Sequence, residues 1–253
     1  MGDFTTTLFT GGVSNAQLDS FGARVPQLWP PQLYSWFSDF DSFTAGLAAS
    51  TAGFEWLSAP GAVAGAAVVN VSDAFGGILS VVTTTTTDDA GYIAQYRGGN
   101  SAGSTADIAE TFTFTPGKQA WFAARFSLDD VVETDFMVGL MIAGATLTTA
   151  SDGVFFLKAD GAATIALRSA DTGGATDQQV NVATLVNNTF VEVAFNYNGV
   201  DAINAFVNGN SAGSLNVASL PTTELAVTFG IQNGNAVGTR TLLLDWIFAA
   251  RER

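Results

Sequence analysis

The sequence predicts an all-β protein, a jelly-roll β-sandwich of two antiparallel sheets with an N-terminal arm. Three observations predict it. From about Phe43 onward, β-branched and aromatic residues recur at period two or in short apolar runs. Gly, Asn or Asp closes these runs at about every dozen residues, the punctuation of a strand-rich chain. Eleven or more candidate strands exceed what a small immunoglobulin-type sandwich holds and suit a larger jelly roll.

Residues 1–42 form the arm. They carry half of the chain's six prolines and two of its five tryptophans, too apolar a composition for a disordered tail. Ser14 is placed to cap a short helix over Asn15 to Phe21, stopped by Gly22, while Pro26, Pro30 and Pro31 hold the next stretch extended. Leu28, Trp29, Leu33, Tyr34, Trp36 and Phe37 make an aromatic docking segment that an isolated arm could not shield from water. It either folds back over its own sandwich or docks on a neighbour, and deleting residues 1–42 is expected to leave a soluble sandwich.

Residues 43–253 form the sandwich. Ala45 to Gly65 reads as a long surface loop with one short strand, anchored by Phe54 and Trp56. Strands follow over Gly77 to Thr87, Ala109 to Thr115, Gln119 to Leu128, Phe136 to Ile142, Gly153 to Lys158 and Ala163 to Ser169. Further strands cover Gln179 to Val186, Phe190 to Tyr197, Ala202 to Val207, Leu225 to Ile231 and Thr241 to Ala249. Asp160-Gly161, Asn198-Gly199 and Asn208-Gly209 each mark a hairpin, because these pairs tolerate the positive φ that tight turns need. The alternation puts Phe122, Ala124, Phe126 and Leu128 on one face and Trp121, Ala123, Arg125 and Ser127 on the other. Likewise Phe190, Glu192, Ala194 and Asn196 oppose Val191, Val193, Phe195 and Tyr197, so Glu192 reads as a solvated concave-face carboxylate and not a buried catalytic one. Leu242 to Phe248 is apolar on both faces except at Asp245, as in a central strand covered on both sides.

Composition excludes much chemistry. The chain has no Cys and no His, so thiol chemistry, imidazole bases and their metal sites are absent. A net charge of −14 with nine scattered Lys and Arg argues against nucleic acid and anionic membrane as partners. No leader-like segment opens the sequence and no apolar run reaches membrane-spanning length, so a soluble chain without a secretion signal is expected. Glu133-Thr134-Asp135 is the nearest thing to a catalytic carboxylate pair, but the next Glu is Glu192, so catalysis is not expected. Asp88-Asp89, Asp129-Asp130 and Asp152-Gly153 lack the spaced ligands of a calcium loop, and neither metal nor cofactor is expected. Trp121, Tyr92, Tyr96 and Tyr197 are the residues that could stack on a sugar, although aromatics at strand spacing usually fill a core.

The succession GGILSVVTTTTTDDAGYIAQ (76–95), KQAWFAARFSLDDV, FMVGLMI, GVFFLKADG, FVEVAFNYNG, AINAFVNG and LLLDWIFAARER resembles the concanavalin A-like lectin and glucanase sandwich over residues 43–253. It resembles in particular the version in structural proteins of tailed bacteriophages. The Glu-x-Asp-x-x-Glu or Glu-x-Asp-x-Glu strand of the glycosidases of that fold has no counterpart here. The resemblance implies a non-catalytic virion protein, a cement or decoration protein made in the host cytoplasm and bound to the outer capsid surface. Its partners would be the major capsid protein and copies of itself in a homotrimer, the arm making much of the contact. The alternatives are a tail or fibre component and a carbohydrate-binding, lectin-like domain with a surface glycan as ligand.

Overall fold

A computed structural model describes residues 13–17, 24–28, 33–41, 45–47, 55–58, 67–70, 77–85, 91–96, 111–142, 147, 150–171, 178–216 and 220–253. In chain order its strands are β1 (Val13–Gln17), β2 (Arg24–Leu28), β3 (Leu33–Ser38), β4 (Ala45–Leu47), β5 (Trp56–Ser58), β6 (Ala67–Asn70), β7 (Leu79–Val82), β8 (Tyr92–Tyr96) and β9 (Ala120–Leu128). The second half adds β10 (Thr134–Met141), β11 (Gly153–Lys158), β12 (Thr164–Ala170), β13 (Gln178–Thr184), β14 (Val191–Tyr197), β15 (Ala202–Val207), β16 (Asn210–Asn216), β17 (Ala226–Asn233) and β18 (Thr241–Glu252).

Two sheets stack face to face, so the expected all-β, two-sheet sandwich is what the chain forms. One sheet, here the front sheet, runs β16-β15-β14-β9-β18-β7-β6, with β3 pairing β18 beside β7. The back sheet runs β13-β12-β11-β10-β17-β8-β5-β4. Pairing is antiparallel except between β4 and β5. The core lies between the sheets and takes alternate residues from strands of both, among them Phe122, Phe126, Phe136, Phe156, Phe195 and Phe229. The faces read from β9 and β14 hold: Phe122, Ala124, Phe126, Val193 and Phe195 point inward. All three Gly-containing turns join antiparallel neighbours, β11 to β12, β14 to β15 and β15 to β16.

Several local expectations need correction. Val13–Gln17 is a strand paired with Arg24–Leu28, where the sequence suggested a helix from Asn15; residues 18–21 lie outside the described ones. Local helix propensity is a weak term, and pairing with a second strand overrides it. Over Ala109 to Thr115 the described residues contribute only a single bridge, Phe112 to Leu225, in place of a strand. Trp56 is no loop anchor; it sits fully buried on β5 within the back sheet. Leu33, Tyr34, Trp36 and Phe37 of the docking segment, by contrast, follow one of the two alternatives open for it, folding back onto their own sandwich as part of β3. β3 pairs with β18 from Ser38↔Ile247 to Leu33↔Glu252. Its inward rings meet the core, Tyr34 edge-on to Phe112 at 5.3 Å and Trp36 at 5.2 Å from Trp56 and 4.6 Å from Tyr96.

The chain then bends at Phe40, a left-handed residue (φ 55°) whose ring stacks on Trp56 at 5.9 Å. A positive φ outside Gly costs about 1–3 kcal/mol, which burial of a phenyl ring offsets. Gly77 packs its backbone into that bend, itself left-handed (φ 59°), and a Cβ there would lie 2.5 Å from the Asp39 carbonyl oxygen and the Asp41 nitrogen. This is the physical use of the second glycine in the Gly76-Gly77 pair. Gly77→Ala is expected to lower stability by about 3 kcal/mol through strain and overlap together. Urea unfolding checks it, and an unchanged midpoint would contradict it.

Candidate functional site

Among the described residues charge concentrates in two places, and their geometry distinguishes them. The first is the end of the sandwich at which β7, β9, β11, β13 and β17 finish. Here Asp130 accepts backbone N–H bonds from Val132 (3.0 Å) and Glu133 (3.1 Å). The Glu133 carboxylate accepts from Ala236 N–H at 3.2 Å, and its carbonyl accepts from Gly234 N–H and the Arg240 guanidinium. Asp135 accepts from Asp160 N–H at 2.8 Å, and Asp160 in turn accepts from the backbone and side-chain amides of Asn235.

Beneath them the Lys158 side chain is fully buried, and its ammonium donates to the carbonyls of Val132 (3.1 Å) and Thr134. Burial pulls the Lys158 pKa below the ordinary lysine value, against the opposing pull of Asp135, Asp160, Asp130 and Glu133. Asn233, also fully buried, bridges Thr83, Thr84 and Gly238. These groups lace four connections together. Glu133 and Asp135, the carboxylate pair picked out by spacing, are therefore engaged in holding loops. Asp152 accepts from the Ser151 hydroxyl, and Asp88 and Asp89 lie outside the described residues. Among the described residues no three acidic side chains converge as metal ligands would.

The second place is the outer face of the front sheet. Glu192 on β14 stands opposite Arg125 on β9, and Arg125 stands opposite Trp246 on β18. A bulge between Leu244 and Trp246 makes Asp245 an extra residue, which turns its carboxylate onto this face. Arg125 donates to Asp245 in an ion pair, and its guanidinium lies 4.4 Å from the centroid of the Phe190 ring. Arg125 is thus fixed on two sides. On the far side of Glu192, Asn208 holds the backbone reciprocally: its Oδ1 accepts from Glu192 N–H at 2.9 Å and its own N–H donates to the Glu192 carbonyl at 2.9 Å.

Among the described residues the Glu192 carboxylate accepts no hydrogen bond and forms no ion pair. Desolvation, with the Asp245 charge, raises its pKa above the ordinary carboxylate value, and Arg125 only partly opposes this. The row of Glu192, Arg125 and Asp245 therefore holds a fixed cation between two anions, with an aromatic ring at its edge and one acceptor still available. Alternation along β9 places Arg125 on the polar face, alternation over Phe190 to Tyr197 places Phe190 on the face of Glu192, and Asp245 stands out as the one charge in an apolar strand.

Below this row the face turns apolar. Ala123 and Ala194 form a small-residue floor in register with each other, and Phe206, Phe248, Trp246 and Leu33 pack against the cluster they share with Trp121 and Ala250. None of the four proposed sugar-stacking aromatics lies open to solvent as a platform. Trp121 is 2% exposed in this cluster, Tyr92 and Tyr197 lie in the core, and Tyr96 is packed against Trp36 and Trp56. The tyrosines share the inward parity of Ala94 and Phe195, which is why they fill the core.

Of the docking residues, Tyr34 and Trp36 face inward, Leu33 joins the outer apolar cluster and Phe37 is 57% exposed on that same face. Leu28 closes β2, its side chain lying outside the described residues together with Trp29.

No protein-family model and no curated protein matches the chain. Solved structures similar to it include a protein of unknown function from Shewanella oneidensis MR-1, with TM-score 0.57, 13% identity and 87% of each chain covered. Others are an endo-β-1,4-glucuronan lyase from the fungus Trichoderma reesei (TM-score 0.49, 12% identity, 74% of this chain and 87% of that one) and a carbohydrate esterase from the Shiga toxin-encoding bacteriophage phi24B (TM-score 0.46, 15% identity, 77% and 89%). At these identities the likeness is one of fold. Two of these proteins are enzymes, and that finding corrects the expectation that the chain is not one: sandwiches of this general shape include enzymes. The lack of one strand motif does not exclude catalysis, since carboxylates from different strands can meet on one face, as Glu192 and Asp245 do around Arg125.

Proposed function

We propose that the chain is a carbohydrate-binding β-sandwich domain whose ligand lies along the outer face of the front sheet, over Glu192, Arg125 and Asp245. The observation that carries this reading is the Glu192 carboxylate, which has no hydrogen-bonding partner among the described residues beside an immobilised Arg–Asp pair. Sugar hydroxyls are donors and acceptors in close succession. A free carboxylate accepts from one, a fixed guanidinium donates to the next, and the edge of the Phe190 ring offers apolar contact to sugar C–H groups. An unpaired, partly desolvated carboxylate is a cost to the fold, and such costs gather at functional sites.

Calorimetric titration with a panel of neutral and acidic oligosaccharides tests the reading. At least one is expected to bind, and Glu192→Gln is expected to weaken it by about tenfold, one charge-assisted hydrogen bond at about 1.4 kcal/mol. Stability should move the other way. Because the folded pKa of Glu192 is raised, the native chain holds more protons than the unfolded one between the ordinary and the folded value, so stability falls as pH rises through that window. Glu192→Gln removes this fall, and its urea midpoint at neutral pH should equal or exceed that of the parent. Tight binding unaffected by Glu192→Gln, or no binding by any member of the panel, would overturn the assignment.

A second reading, compatible with the first, is that the domain is carried on a phage particle: a cement or decoration protein on the outer capsid surface, trimeric, with the major capsid protein as partner. It is supported by the sequence resemblance and by Phe37, exposed on β3 beside Phe248 where a neighbour could cover it. Incubation with capsids separates this from a sandwich that binds glycan alone, because a decoration protein saturates at a fixed number of copies per shell and loses occupancy in Phe37→Ser.

A further inference from the structure

The sequence contains three Asn-Gly pairs, at 198–199, 208–209 and 233–234. Each is chemically able to form a cyclic imide: the Gly nitrogen attacks the Asn side-chain carbonyl carbon, a C–N bond forms, and the Cγ–Nδ2 bond breaks with loss of ammonia. Water then opens the ring at either carbonyl, leaving aspartate or isoaspartate. Gly favours the attack because it has no side chain to obstruct the approach. What differs among the three pairs is how tightly the reacting groups are held.

At Asn233 both groups are held. The side chain is fully buried, Nδ2 donates to the Thr84 and Gly238 carbonyls, and the attacking Gly234 N–H donates to the Glu133 carbonyl at 2.8 Å. At Asn198 the amide is held. Its Oδ1 accepts from the N–H groups of Val200, Asp201 and Ala202, and Nδ2 donates to Asp201 at 2.9 Å. Asn208 differs from both. It is exposed, both turn residues are left-handed (φ 47° and 77°), and its side chain makes one hydrogen bond, Oδ1 from Glu192 N–H. Among the described residues neither its Nδ2 nor the Gly209 N–H has a partner.

We propose that Asn208–Gly209 is the chain's site of spontaneous deamidation and that the reaction disables the Glu192 row. The modification follows from the turn geometry alone; its effect on ligand binding rests on the function proposed above. Asn208 is the residue that fixes the Glu192 backbone through two hydrogen bonds. Isoaspartate would lengthen the main chain by one methylene at the turn and break that reciprocal pair, and either product sets a new negative charge beside an already unpaired carboxylate.

The experiment stores the full chain for weeks at mildly alkaline pH and follows each Asn-Gly pair by peptide mass mapping, with a urea-unfolded sample alongside. In the unfolded chain the three pairs should convert at similar rates. In the folded chain Asn208 should convert faster than Asn198 by about tenfold or more, a barrier difference of about 1.4 kcal/mol, and Asn233 should stay intact. Asn208→Gln should abolish the early acidic species on ion exchange. Conversion of Asn198 or Asn233 as fast as Asn208 in the folded chain, or protection of all three, would overturn the proposal. If the proposed function also holds, the isolated acidic species binds oligosaccharide more weakly. A site that converts as described with unchanged binding would leave the chemistry standing and remove the link to Glu192.

Discussion

Removing residues 1–42 is expected to unfold the sandwich rather than leave it soluble. The deletion takes away β3 and Phe40, so it strips Phe40 from the core, removes the half-buried Tyr34 and Trp36 that pack against it, and frees the β3-facing edge of β18 from Ile247 to Glu252. Trp56 and Phe112 lose the rings against which they pack. Losing the buried Phe40 ring alone costs about 3–5 kcal/mol, and losing the partly buried Tyr34 and Trp36 and the β3 pairing as well brings the total into the 5–15 kcal/mol typical of a whole domain. The truncated chain should lack a cooperative urea transition and should collect as aggregate through the exposed β18 edge. Phe40→Ala, a milder form of the same test, should cost about 3–5 kcal/mol. A truncated chain that unfolds cooperatively at the parental midpoint would show that β3 is dispensable.

The second large effect is expected at Lys158. Lys158→Ala opens a cavity and withdraws the donor from the Val132 and Thr134 carbonyls, so it should destabilise by about 3–5 kcal/mol. Lys158→Met keeps most of the volume and loses only the donor and the charge, and about 1–3 kcal/mol is expected. The pH dependence carries a sign of its own. With the folded pKa below the ordinary lysine value, the unfolded chain holds more protons between the two, so stability rises with pH across that window. Lys158→Met should abolish the rise. A urea series at increasing alkaline pH reads it directly, and a parent whose stability falls there no differently from the variant would contradict the buried-ammonium account.

Much of this was legible in the sequence where the information is local. Period two along AWFAARFSL and VEVAFNY set the inward and outward faces of β9 and β14, because a strand with one buried face cannot slip by one residue without exposing its apolar set. Asp160-Gly161, Asn198-Gly199 and Asn208-Gly209 marked their hairpins because the required φ is a property of the residues themselves. What was not legible depends on distant partners. LYSWFS alternates well enough for a strand, but its partner lies at the other end of the chain, and the preceding prolines made it read as an arm. Lys158 ends a strand before an Asp-Gly turn, and nothing local marks it as buried, because the carbonyls that hold its ammonium belong to Val132 and Thr134, more than twenty residues earlier. The candidate site shows the same division. Glu192 and Arg125 were each placed on the outer face by alternation, but the bulge that brings Asp245 beside Arg125 arises from pairing between β18 and β9.

Whether a sugar ligand lies across Glu192, Arg125 and Asp245 is decided by mapping amide shifts on isotope-labelled protein during titration with the oligosaccharide that calorimetry selects. The amides of Arg125, Phe190, Glu192, Asn208, Asp245 and Trp246 are expected to shift together and saturate, while those of Asp130, Glu133, Asp160 and Asn233 at the laced end stay unmoved. Shifts confined to the laced end, or to the outer face of the back sheet, would contradict this placement of the ligand.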